Sequence, residues 1–178
     1  MKIIIIESSP HKNGSSNLLA ESFVRGAKEA GNSVTVFDAA RADIHPCFAC
    51  EACGMSGPCT QKDDMGKLKE MILQSGMVVF VTPLYYFGMS AQLKIVIDRF
   101  YSFNSMLHSK DLKTALIATA WDSNKEKMRP LAEHYKMICR YLGFEDMGTV
   151  LGLGCGTPDM TLRTIYPQIA YELGKSIK

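Results

Sequence analysis

The sequence predicts a doubly wound α/β sandwich: a five-stranded parallel sheet in the order 2-1-3-4-5, with helices on both faces. Three observations carry that expectation. Ile3-Ile4-Ile5-Ile6 and Met77 to Val81 are continuous apolar runs without polar alternation, the pattern of strands buried on both faces. Strand-like runs alternate along the chain with segments of three- and four-residue apolar periodicity, which makes the strands parallel and the crossovers right-handed. The two most apolar runs are the first and the third, which fits an order in which they are neighbours and the sheet reverses between them.

Each element follows from its own residues. After the first strand, Leu19, Phe23, Gly26/Ala27 and Ala30 recur at helical spacing, and Gly31-Asn32 ends that helix. Ser33 to Phe37 alternates like a strand nearer an edge. Asp63-Asp64 opens a second helix through Met65, Leu68, Met71 and Ile72, its acids suited to the positive end of the helix dipole. Gly76 stops it before the third strand. A third helix is expected through Leu93, Val96, Ile97 and Phe100, a fourth strand over Thr114 to Trp121, and a fourth helix over Met128 to Leu142, ended by Gly143. Val150 to Leu153 reads as the fifth strand and Leu162 to Ile177 as one closing helix.

At 178 residues the chain is expected to form one domain, 1–178, burying about 70% of its unfolded surface. A net charge of +2 supplies no basic field for nucleic acid, and apolar runs of four to six residues are too short to span a membrane. The amino terminus lacks the pattern of a signal peptide, so a cytoplasmic location is expected. In a reducing compartment six cysteines argue for metal or redox chemistry over disulfides.

Two loops flank the crevice at the sheet reversal. The first, Ser8 to Asn17, joins a buried strand to a helix N-terminus, where unpartnered N–H groups and the helix dipole favour an anion. Ser9, Ser15, Ser16 and Asn17 are candidate neutral donors, and Lys12 and His11 candidate charges. An ordinary helix cap explains one or two such residues. Four with a lysine favour a phosphate, although neither a dinucleotide fingerprint nor a Walker loop is present. The second loop carries Pro83-Leu84-Tyr85-Tyr86-Phe87-Gly88. Tyr85, Tyr86, Phe87 and, from the loop after the fourth strand, Trp121 are candidates to stack on a flat ring, and the backbone N–H groups of residues 85 to 88 are expected to reach its polar edge. A phosphate tail joined to a flat head describes FMN.

Cys47-x2-Cys50-x2-Cys53-x5-Cys59 is the least ordinary stretch. Three thiols at this spacing wrap a cubane as in the ferredoxin run, whereas zinc sites usually separate two C-x-x-C pairs by a dozen or more residues. A [4Fe-4S] cluster is the better match, with zinc or free thiols as alternatives. Cys139 and Cys155 read as small packing residues, with Cys155 nearer the crevice.

Taken together, Ser9-Pro10-x-Lys12-x-Gly14-x-Ser16, Asp63-Asp64-Met65, the run from Pro83 to Lys94 and Ile97-Asp98-Arg99 resemble the flavodoxin-like NAD(P)H-dependent FMN reductase family, and within it the iron-sulfur flavoproteins. The resemblance covers essentially the whole chain. It implies that Ser9 to Asn17 holds the FMN phosphate, that Pro83 to Gly88 lies along the isoalloxazine, and that Thr119, Ala120, Trp121 and Asp122 form the third contact. It also implies NAD(P)H or an electron-carrier protein as redox partner, and a homodimer or homotetramer. His11 stands where the family commonly has Arg. The Asp98-Arg99 pair is expected to be a structural helix pair or cap. An NAD(P)H-dependent FMN or quinone reductase with an unmetallated cysteine loop is the alternative function. A phospho-acceptor receiver fits poorly, because Glu7 stands alone and position 82 is Thr.

Overall fold

A computed structural model describes all residues 1–178. The sheet has the expected order, β2-β1-β3-β4-β5, with every pairing parallel. Its strands are β1 (Lys2–Glu7), β2 (Ser33–Asp38), β3 (Met77–Pro83), β4 (Lys113–Thr119) and β5 (Glu145–Gly152). The isoleucine run divides between the two faces because successive side chains of a strand alternate. Ile3 and Ile5 pack against α1 (Ser15–Glu29) and α7 (Tyr166–Ser176) with Phe23 and Ala170. Ile4 and Ile6 face Leu68 and Ile72 of α2 (Met65–Leu73), Leu93 and Val96 of α3 (Ala91–Arg99), and Leu131 and Tyr135 of α5 (Arg129–Leu142).

The elements depart from expectation in four places, each for a local reason. β5 starts at Glu145, five residues early: Glu145-Asp146 is polar because the strand lies at the sheet edge, and its pairing with β4 is interrupted between Thr114 and Leu116. β4 ends at Thr119, so Ala120 and Trp121 belong to the loop. After α3 the chain tightens into a 3-10 turn over Phe100–Phe103 and a short α4 (Asn104–His108), which bury Phe100, Phe103 and Leu107 beneath the sheet. The closing helix is two helices, α6 (Pro158–Leu162) and α7, since Pro167 lacks an N–H and sits in the first turn of the second.

Helices α1 and α7 approach with backbone in contact. A Cβ on Gly174 would lie 2.1 Å from the Phe23 carbonyl oxygen, and one on Gly26 2.1 Å from that of Tyr171. No helix is long and apolar enough to cross a membrane.

Candidate functional site

The first loop is built around an uncapped helix. Gly14 is the N-cap of α1 and has no side chain to cap with, so the N–H groups of Ser15, Ser16 and Asn17 are left without protein partners. A Cβ at Gly14 would press to 3.0 Å from Ser9 Oγ, and Ser9 Oγ in turn accepts from the His11 N–H at 3.2 Å. The backbone donors of Ser15 and Ser16 and the hydroxyls of Ser9, Ser15 and Ser16 therefore share one concavity at the positive end of a fifteen-residue helix.

The second loop is joined to the first by hydroxyl contacts. Ser90 Oγ donates toward the Ser8 carbonyl (3.1 Å) and lies 2.9 Å from Ser8 Oγ, which bonds the Val81 carbonyl at 2.7 Å; the Ser90 N–H donates to Thr82 Oγ1 at 2.9 Å. Ser90 is also the N-cap of α3, accepting from the Leu93 N–H. The ends of β1 and β3 are thus held in one register.

The resulting cavity, about 420 Å³, opens beyond the carboxyl ends of the strands and is within the size range of small-molecule sites. Ser9, His11, Ser15, Ser16, Pro83, Leu84, Tyr85, Thr119 and Trp121 line it. Lys12, Asn17, Tyr86, Phe87, Gly88, Ala120 and Asp122 do not. Asn17 Nδ2 donates to Glu7 Oε2 at 2.6 Å, which leaves only its backbone N–H without a protein partner. Asp122 turns to Lys127 and to the Asn124 N–H. Tyr86 and Phe87 form a two-residue hairpin turn with φ of 47° and 65°, closed by mutual bonds between Tyr85 and Gly88. Those bonds engage the N–H groups of Tyr85 and Gly88, leaving only the Tyr86 and Phe87 amides of the four expected donors. Two rings in left-handed backbone cost on the order of 1–3 kcal/mol each, and their side chains point to solvent.

The fifth-strand loop contributes a wall of Cys155, Gly156, Thr157 and Pro158, of which the sequence points only to Cys155. Its glycine-rich stretch was the available signal. A Cβ at Gly156 would stand 2.5 Å from Trp121 Cε3, so the indole lies directly on that backbone. Burial pushes the Cys155 thiol up, making it a neutral neighbour.

Beneath the first loop, Glu7 is pushed up to about 7, chiefly by burial and less by Asp38 and Glu21, against the lowering effect of the Asn17 bond. A raised carboxyl favours folding fully below its ordinary value of 4.5, and that contribution is lost as pH rises through 7. Glu7→Gln should therefore match the wild type near pH 5 and exceed its stability at pH 8 by roughly 1 kcal/mol, the shift being discounted for partial exposure. Urea midpoints at the two pH values test this.

The four clustered cysteines are free thiols around one shallow pocket, which Arg99 also lines. Left-handed residues at Ala49, Glu51, Gly54 and Met55 coil the loop. The Cys50 thiol is held below its ordinary range by the Ala52 backbone amide and then the Thr60 hydroxyl. No three Cys, His, Asp or Glu side chains are gathered to hold a single metal ion. Arg99 does not pair with Asp98, which bonds Lys94 on the surface. It is 1% exposed and grips Asp63, 2% exposed, through two bonds of 2.6 and 3.0 Å.

A parallel sheet in this order, with an anion cradle and a ring-lined wall meeting at its reversal, is the architecture of flavodoxin-like, flavin-dependent oxidoreductases. The chain belongs to the NADPH-dependent FMN reductase family, whose sequence model matches residues 1–156. Among its relatives, an iron-sulfur flavoprotein of Archaeoglobus fulgidus is 27% identical over 158 residues, covering 86% of this chain and 69% of that protein. YwqN of Bacillus subtilis, named as an NAD(P)H-dependent FMN-containing oxidoreductase, is 32% identical over 165 residues, 86% of each. The NAD(P)H:quinone oxidoreductase of Methanothermobacter marburgensis has the same fold, with a TM-score of 0.77 at 20% identity over 98% of this chain and 94% of that one. The chain is a flavin-dependent oxidoreductase of an FMN-binding family.

Proposed function

We propose that the chain is an iron-sulfur flavoprotein: FMN occupies the cavity between the loops after β1 and β3, and the cysteine loop carries a [4Fe-4S] cluster that exchanges electrons with it. The observation that carries the FMN assignment is the pair of unpartnered N–H groups of Ser15 and Ser16, at the same cavity as Pro83, Leu84, Tyr85 and Trp121. The flavin supplies the redox chemistry when bound. The chain's residues bind and orient it. Backbone donors and the Ser9, Ser15 and Ser16 hydroxyls neutralise the phosphate, Trp121 on Gly156 and Tyr85 confine the ring, and Leu84 is fixed by its N–H bond to the Thr119 carbonyl at 2.7 Å. Lys12 and His11 stand exposed at the rim, where they steer an anion inward. No side-chain acid or base is assigned.

Three features support the cluster. The donors are four thiols on one loop around one pocket. Cys47, Cys50 and Cys53 recur at the x2 spacing of the ferredoxin run, with Cys59 as a fourth local thiol. And α3 runs from Ser90 beside the flavin cavity to Arg99 in the cysteine pocket, nine residues or roughly 13 Å. An electron-carrier protein or NAD(P)H would then serve as partner, in a homodimer or homotetramer. The ungathered thiols also support a second reading, an NAD(P)H-dependent FMN or quinone reductase whose loop holds no metal.

Iron analysis separates the two. Protein purified without oxygen should be brown, contain about four irons per chain and lose them in Cys50→Ser while keeping its FMN. Iron-free wild type would leave the second reading.

A further inference from the structure

One buried polar side-chain atom in the chain lacks a hydrogen-bond partner, and it is Nε of Arg99. Both terminal nitrogens of that guanidinium are engaged. Nη1 donates to the His45 carbonyl at 2.8 Å and to Asp63 Oδ2, and Nη2 donates to Asp63 Oδ1. Asp63 also accepts from the backbone N–H groups of His45 and Met65. His45 and Asp63 are the two stems of the loop that carries Cys47 to Cys59, so the fork closes that loop at its base.

Closing the loop needs only the two terminal nitrogens. It gives no reason for burying a cationic N–H unpaired, which costs more than leaving a neutral donor unpaired. The surroundings give one. Arg99 is the only arginine lining the pocket formed by Cys47, Cys50, Cys53 and Cys59, and the Cys59 sulfur is among the groups acting on its charge.

We propose that Arg99 is a positioning residue of the cysteine site: its fork fixes the loop stems, and its Nε–H is held for a sulfur of the thiolate-bound cluster. This rests on the cluster reading above. A positive charge and an N–H···S bond both favour the reduced, more negative state, so Arg99 raises the cluster's reduction potential.

The test uses the full chain, reconstituted anaerobically with iron and sulfide and grown with 15N-arginine. Pulsed EPR of the dithionite-reduced wild type should show a 15N hyperfine coupling, and Arg99→Lys at equal iron content should lack it and have a lower midpoint potential. Iron-loaded wild type without the coupling overturns the proposal even if the variant fails to fold. So does a variant with full iron and an unchanged potential. Wild type that takes up no iron instead defeats the cluster reading, and this inference with it.

Discussion

Ser16→Asp should abolish retention of FMN while leaving the fold intact. Ser16 lies in the first turn of α1, 1% exposed, beside the three unpartnered N–H groups. An aspartate there sets a negative charge against the phosphate and can itself accept from the free donors, so it stands in for the ligand. Helix N-termini tolerate acids well, which is why stability should hold. Two bonds to a charged acceptor are worth roughly 1.5–3 kcal/mol each, so their loss weakens FMN by at least about 100-fold. Ser16→Ala, which removes one hydroxyl and adds no charge, should cost about tenfold. Flavin-fluorescence titration of the apoprotein measures both. An aspartate variant that binds FMN like the wild type would show that the phosphate lies elsewhere.

The second large effect concerns stability. Asp63→Ala should destabilise the chain by about 3–5 kcal/mol, because it strands the Arg99 guanidinium in the interior and cuts the bonds to His45 and Met65. For a chain of this size that lowers Tm by about 6–20 °C. Asp98→Ala, which removes an exposed pair with Lys94 in the preceding turn of the same helix, should cost no more than about 0.5 kcal/mol. Burial alone would raise Asp63, but the Arg99 fork and the His45 and Met65 amides overcome it and hold the carboxyl below its ordinary 3.8. Its contribution is therefore complete above that value and is lost as pH falls beneath it. Equal melting temperatures for the two variants would show that the buried pair does not hold the loop.

The contrast between Asp63 and Asp98 also marks how far the sequence could be read. Adjacent in the chain, Asp98 and Arg99 invite pairing. On a helix, however, neighbours in sequence point 100° apart, so Asp98 faces water and Arg99 faces inward to a carboxylate 36 residues away. Asn17 shows the same limit. Its place in the first turn was legible, but its amide is turned to Glu7 by a bond that only the folded register of β1 and α1 creates. In sequence the tyrosine loop is a platform of rings and donors, yet the Tyr85–Gly88 closure points Tyr86 and Phe87 outward and engages half of those donors.

The sheet order, both loops and the cysteine cluster were written in the chain itself, because burial on two faces demands unbroken apolar runs and helix N-termini draw hydroxyls and amides. Folding alone decided which of those groups share the cavity, that Gly156 to Pro158 join Cys155 in its wall, and that Arg99 keeps one N–H unpaired in the cysteine pocket. Those outcomes depend on contacts between residues distant in the chain, and periodicity carries information only about near neighbours.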